Sequence, residues 1–442
     1  MPNVTRLQTV LCIVCLAVIS MPATLAYTQT ETVLYNFIGG PKDGTNASGL
    51  ILDAAGNLYG TTSNGGTLGG GIAFEVSPSA SGSWTETILH YFIGGTDGFE
   101  PTANLVLDAA GNLYGTTLEG GTGPCSMGAH KGCGTVFKLS PNGSGSWTET
   151  ILYSFAGGTD GELPRSNLIL DTAGNLYGTT SYGGTHLGCA YPAAVKIGCG
   201  TVFELLPGLN GVWTKKILHD FGGGVDGQIP YAGLVFDKSG NLYGTTDWGG
   251  PPEGCGGFGR LQSCSVVFEL TPIAGKGWDE KLLPMPGYNI VANLAIDSEG
   301  NLYGAADSGG DCGNDYEAGC GEVWELSPVG GGQWNTYPVA QFCETSPSAV
   351  ILDGAGNLYW TAGATYGLCE GSPAEVVESS PGANNTWINT ILFEFTGSAI
   401  QGTAPSGSVS GLSGLIRDAA GNLYGTGGGG THGKGVVYEI TP

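Results

Sequence analysis

Positive charge is scarce in this chain. Only 14 Lys and Arg stand against 38 Asp and Glu in 442 residues, and charged residues make up 12% of the whole. A formal net charge of -24 repels phosphate backbones and anionic headgroups, which excludes nucleic-acid binding and electrostatic membrane docking. Long apolar runs are missing as well: the one extended run, Val10 to Ile19, is shorter than the ~20 residues a helix needs to cross a bilayer. Beyond the first 26 residues the CxxC knuckles of zinc sites do not occur, and no two of the five His stand at metal-ligand spacing, so no resident metal is expected. Nor is this the composition of a disordered chain, because 41% of residues are hydrophobic and 10% aromatic.

Glycine is what the chain has in abundance, 82 residues of it. Each interior Gly costs a helix about 1 kcal/mol relative to Ala, so glycine at this density excludes helical and α/β architectures. A turn-rich, all-β protein remains.

Residues 1–26 read as an export signal: Arg6 in a short polar start, the apolar run, then Thr24-Leu25-Ala26 with small residues at the cleavage positions. Cleavage after Ala26 is expected; the alternative, lipidation of Cys15, meets Val14 where a small residue is wanted. The remainder, 27–442, is expected to be one exported domain without membrane insertion, extracellular or periplasmic, and a monomer. Cys12 and Cys15 leave with the signal, and ten cysteines stay. Eight form close pairs, Cys125/Cys133, Cys189/Cys199, Cys255/Cys264 and Cys312/Cys320, read as disulfides that staple single loops. Cys343 and Cys369 are left to pair with each other.

Internal repetition dominates. The segment Asp53-Ala-Ala-Gly-Asn-Leu-Tyr-Gly-Thr-Thr62 recurs with its Asp at 108, 171, 237, 297, 353 and 418, at spacings of 55 to 66 residues. Within a unit, a short run such as Asn167–Leu170 precedes the Asp-x-x-Gly-Asn turn, and Leu176–Thr180 follows it. A Gly-rich loop bearing the Cys pair leads to Thr201–Leu205, and a further turn to a strand such as Trp147–Phe155. Four strands per repeat of this length predict a β-propeller, here with seven four-stranded blades. Glu31–Phe37 matches the fourth strand of a unit, and the last unit stops after its third strand, Val436–Ile440. The N-terminal strand is therefore expected to close the last blade, three strands plus one, which hides the edges of the ring.

The recurrent residues read first as architecture, since a catalytic residue is needed once and these occur in every unit. The Tyr of each repeat (59, 114, 177, 243, 303, 359, 424) is expected between sheets. The Trp that opens the fourth strand (84, 147, 213, 278, 334, 387) is expected to cover that strand, with an exposed sugar-stacking platform as the alternative. His90 and His219 share the fourth-strand slot of Tyr35 and Tyr153 and read as structural. Variable loops emerge on the opposite side of the ring from the uniform Asp-x-x-Gly-Asn turns. There the Gly-Gly-x-Asp-Gly links place Asp97, Asp160 and Asp226 at one position, with Asp43 a near match. Either these carboxylates hold a cation such as Ca²⁺ or a hydroxyl-rich ligand near the channel mouth, or Asp-Gly merely makes a tight turn. Arg165 and Arg260 are the loop cations to test first.

The Asp-x-x-Gly-Asn-Leu-Tyr-Gly-Thr-Thr core, Gly-Gly loop and Val-Phe-Glu-Leu strand together resemble the GloVer tandem repeat of bacterial extracellular "choice-of-anchor" proteins, over residues 31–442. More loosely, the turn motif is similar to that of NHL-like and virginiamycin-lyase-like propellers. The resemblance implies export and surface display and implies no reaction. The chain stops at its closing blade without a sorting tail, which favours secretion or periplasmic residence. Three functions are carried forward: binding of a glycan or another extracellular macromolecule by the loop-rich face, a carbohydrate-active lyase or hydrolase using that face, and a structural envelope protein.

Overall fold

The computed structural model describes residues 29–126, 131–143, 145–187, 189, 197–250, 265–284, 290, 292–310, 320–343, 347–362, 374–383, 385–395, 402–403 and 414–441. Seven antiparallel sheets follow one another along the chain and form a ring, each built on four strands, which run in sequence order in the first six. The third blade is typical: Ile169–Leu170, Leu176–Thr180, Thr201–Pro207 and Trp213–Asp220, running from the inside of the ring outward. The innermost strand is only two residues long, shorter than the four-residue run in the sequence. It is followed by the turn in which Asp171 Oδ1 accepts the amides of Ala173 and Asn175 at 2.9 and 2.8 Å. Gly174, at φ 86°, supplies the left-handed residue this turn requires.

The seventh blade consists of Ile416–Arg417, Leu423–Gly429 and Val436–Thr441, completed by Thr30–Asn36 from the other end of the chain. The closing pair runs antiparallel from Thr30↔Thr441 to Asn36↔Val436. Its register shifts between Val33 and Tyr35, and the same irregularity occurs between Ile151 and Tyr153 in a blade of continuous chain. A bulge re-aims the residues beyond it, so the borrowed strand reproduces even the local irregularity of a fourth strand.

The core is distributed over the junctions. Each of seven apolar clusters among the described residues joins one blade to the next, and one of them brings Tyr424 and Val437 of the last blade against Leu50, Leu58 and Phe74 of the first. Phe at the end of a fourth strand meets the third-strand aromatic of the following blade edge to face, as in Phe37–Phe74 (5.2 Å) and Phe155–Phe203 (5.3 Å). The Gly of Leu-Tyr-Gly makes room for that third-strand ring: a Cβ on Gly178 would lie 2.8 Å from Phe203 Cζ. Blade six inverts the arrangement. Trp360 stands in place of the Gly, Val377 faces it in place of the aromatic, and Phe342 stacks on Trp360 at 5.1 Å. The volume is conserved while the ring has changed strands.

Two outcomes follow. Gly178→Ala should cost about 1–3 kcal/mol in urea unfolding by overpacking, and adding Phe203→Val should recover part of that loss. A variant lacking residues 27–37 should melt far below the parent in a circular-dichroism scan, because it exposes the edge of the last blade.

Candidate functional site

The sequence-selected aspartates lie at four separate blade junctions. Each takes one fourth-strand residue before it and one from the fourth strand of the next blade. Tyr35, Asp43 and Glu86 form the first group, in which the Tyr35 hydroxyl donates to Glu86 at 2.8 Å and Asp43 is 1% exposed. In the second, His90 Nε2 is 3.1 Å from Asp97 Oδ1 and 3.6 Å from Glu149 Oε2. In the third, Lys215 Nζ sits 2.8 Å from Asp160 Oδ1, which also accepts from the Tyr153 hydroxyl at 2.7 Å. In the fourth, His219 Nε2 is 3.4 Å from both Asp226 Oδ1 and Glu280 Oε1. The structure thus brings each Asp to its own outer-strand partners and not to the other aspartates, so the arc becomes four sites. Three of the aspartates sit in the one-turn 3-10 segments of the links, Gly95–Asp97, Gly158–Asp160 and Gly224–Asp226.

The carboxylates divide by environment. At Asp97 and Asp226 burial works to raise the pKa, yet the facing His, the neighbouring Glu and a backbone amide pull both below the usual range. The opposing Glu149 and Glu280 are pushed up to about 9, first by burial and then by the adjacent Asp. Glu86 rises to about 8 for the same reasons, against the hydrogen bond from Tyr35. In the third junction the Lys215 ammonium replaces the second carboxylate and neutralises Asp160. These partners were legible only as a register: Glu86, Glu149, Lys215 and Glu280 all stand two residues after the Trp that opens a fourth strand.

A different cluster forms on the loop-rich face. Arg165 and Tyr231 precede the innermost strands of blades three and four, and Tyr182 and Asp247 follow the second strands of the same blades. The Arg165 guanidinium lies over the Tyr231 ring at 5.3 Å, while its Nε is buried without a hydrogen-bond partner. The Tyr231 phenol is pushed well above its usual range, chiefly by burial and further by Tyr182 and Asp247, against the pull of Arg165. It is held as a neutral hydroxyl. Of the loop cations, Arg165 is thus placed; Arg260 lies outside the described residues.

Tyr182 and Trp248 end their second strands in isolated bridges to the links, Glu162↔Tyr182 and Gln228↔Trp248. Below this face the innermost strands approach closely. The Asn104 amide donates to Asn167 Oδ1 at 2.7 Å, and the Gly233 amide to Asn293 Oδ1 at 2.5 Å. Asparagines ahead of the innermost strands therefore cross-link neighbouring blades.

The loops carry disulfides Cys125–Cys133 and Cys189–Cys199. Cys255, Cys264, Cys312 and Cys369 lie outside the described residues, as does the signal segment. The backbones of Cys320 and Cys343 face each other across adjacent strands, a neighbourhood the spacing did not suggest. The Trp residues are not free platforms: Trp147 packs on Tyr59, Trp334 on Tyr243 and Trp387 on Tyr303, each edge to face at 5.9–6.1 Å.

A family model described as the Gloeobacter/Verrucomicrobia repeat matches residues 21–191 and 128–283. The chain belongs to this family. Gloeobacter/Verrucomicrobia repeats here supply whole blades, since the matched span runs from before the first blade to the end of the fourth. No curated protein matches the chain. Among solved structures, virginiamycin B lyase from Staphylococcus aureus aligns with a TM-score of 0.52 and 10% identity over 94% of this chain and 99% of that one. The extracellular domain of a putative one-component system from B. thetaiotaomicron aligns with a TM-score of 0.51 and 11% identity, over 93% of this chain and 40% of that one. At such identity the likeness is one of fold. Among the described residues, no helix is long and apolar enough to cross a membrane.

The Glu86 junction makes stability depend on pH. Folded Glu86 keeps its proton up to about pH 8, whereas the unfolded side chain releases it near the ordinary glutamate value. The unfolded state then binds fewer protons between these limits, so stability falls as pH rises through that window. Glu86→Gln should flatten this part of the curve when Tm is followed against pH.

Proposed function

We propose that the chain is an exported propeller that binds a glycan through its loop-rich face, with Arg165, Tyr182, Tyr231 and Asp247 as the centre of the site. The observation that carries this reading is the half-buried guanidinium lying on an aromatic ring, with its Nε unpartnered beside a neutral phenol and a carboxylate. A sugar presents adjacent hydroxyls and an apolar ring face. Arg donates to the hydroxyls, Asp accepts from them, and the Tyr ring covers the apolar face, the mixture of a few convergent polar groups and aromatic walls that small-ligand sites use. Loops tied by disulfides hold such a surface in one shape and lower the entropic cost of binding. The same bonds persist in oxidising compartments, which supports export.

The net charge of -24 disfavours a polyanionic ligand, so a neutral glycan is the better fit. It also weighs against lyase action on acidic sugars. The Tyr231 phenol, pushed up by burial, is suited to donate a hydrogen bond and unsuited to abstract a proton at neutral pH.

A glycan array followed by titration calorimetry tests this. Arg165→Met, which keeps an unbranched side chain without the charge, should weaken binding of the best array ligand at least about tenfold with Tm unchanged, by loss of charge-assisted hydrogen bonds. Absence of any glycan ligand, or equal affinity of the variant, removes the proposal.

A further inference from the structure

Two junctions repeat one donor set. His90 lies in Trp84–Tyr91, the fourth strand of blade one, Asp97 in the link that follows, and Glu149 in Trp147–Ser154 of blade two. His219, Asp226 and Glu280 repeat this between blades three and four. Each trio offers one imidazole nitrogen and two carboxylate oxygens, all within 4.8 Å of one another. We infer that each of these two junctions binds a divalent transition-metal ion of the zinc type, as a staple between neighbouring blades.

The spacing carries the inference. Zn²⁺ with nitrogen and oxygen ligands at 2.0–2.2 Å in a tetrahedron places its ligand atoms about 3.3–3.6 Å apart. His219 Nε2 stands 3.4 Å from each of its two oxygens, and His90 Nε2 stands 3.1 and 3.6 Å from its own. In the second trio His219 Nε2 and Glu280 Oε1, which stand 3.4 Å apart, are buried without a hydrogen-bond partner; in the first, His90 Nε2 is bonded to Asp97 Oδ1 and the unpartnered atom is Glu149 Oε1. The ligands are also braced. Asp97 Oδ2 accepts the amide of Ile93 at 2.7 Å, and the amide of Gly222 donates to Asp226 Oδ2, which leaves each Oδ1 aimed at its imidazole. The imidazoles lean edge to face on Phe92 and Phe221 at 4.8 and 4.6 Å. Bracing of this kind fixes ligand orientation in metal sites. The sibling junctions supply a comparison within the molecule. Where Lys215 takes the place of the Glu, its ammonium sits 2.8 Å from Asp160 Oδ1, so the same position in the fold accommodates a positive charge. With three protein ligands, each trio leaves a fourth position for water, and the fit favours Zn²⁺ over Ca²⁺, which takes six to eight oxygens.

The siblings also provide variants compatible with the fold, because Tyr occupies the His slot at Tyr35 and Tyr153. Protein with its disulfides intact is stripped with a chelator, then titrated with Zn²⁺ by calorimetry and assayed for bound metal by mass spectrometry. The parent should take up two ions per chain, one for each trio, with a higher Tm in zinc than in chelator. His219→Tyr should lose one ion, and His90→Tyr with His219→Tyr both, together with the zinc-dependent rise in Tm. No uptake by the stripped parent would mean that the trios hold only a proton, and unchanged stoichiometry in the double variant would place the metal elsewhere; either overturns the inference.

Discussion

A tyrosine held at both ends sets how neighbouring blades meet. Its hydroxyl is bound within its own blade: Tyr177 donates to Asp171 at 3.1 Å and to Glu204 at 2.9 Å. Its ring belongs to the interface, where the Trp of the following blade packs against it, as Trp387 does on Tyr303. One side chain thereby ties the tight turn, the third strand and the next sheet together. Burial, and then the two carboxylates, keep the phenol protonated over all ordinary pH. The turn aspartate holds its charge because amide and side-chain hydrogen bonds outweigh its partial burial. A blade placed by such a clasp cannot rotate about its neighbour without pulling the Trp off a ring that its own blade holds fixed, so the loop-rich face inherits a rigid base.

Rigidity at the junctions leaves room for differences above them. The inner ends of blades three and four carry Arg165, Tyr231, Tyr182 and Asp247, while the corresponding positions in blade one hold Ala47, Asn64 and Ser63. The outer ends of four successive junctions carry carboxylates whose charge is balanced in different ways, by a proton, a histidine or a lysine. The links of blades five to seven lack the Gly-Gly-x-Asp-Gly pattern. At these junctions the buried carboxylates of an acidic chain meet built-in partners, since an uncompensated buried carboxylate is costly.

The repeat was readable because its signals are local. The turn needs Asp and Gly at set offsets, and Leu176–Thr180 was placed to the residue from that motif alone. The closing strand was readable because Glu31–Phe37 is a copy of a fourth strand. The exchange of Gly and aromatic between Trp360 and Val377 escaped notice, because it appears only once the two strands are paired. His90 and His219 were read as structural, and no spacing along the chain brings either one to a glutamate 59 or 61 residues further on.

Sequence periodicity by itself determined the blade count, the order of strands and the joining of the two chain ends, because β-pairing between adjacent segments depends on local turn chemistry and alternating burial. Tertiary structure alone decided which polar groups meet. Contacts across a junction depend on the stagger of one blade against the next, and that stagger is set by packing of Tyr, Trp and Phe rings, for which linear spacing carries no measure. The Arg165 cluster and the two His-Asp-Glu trios are consequences of that stagger.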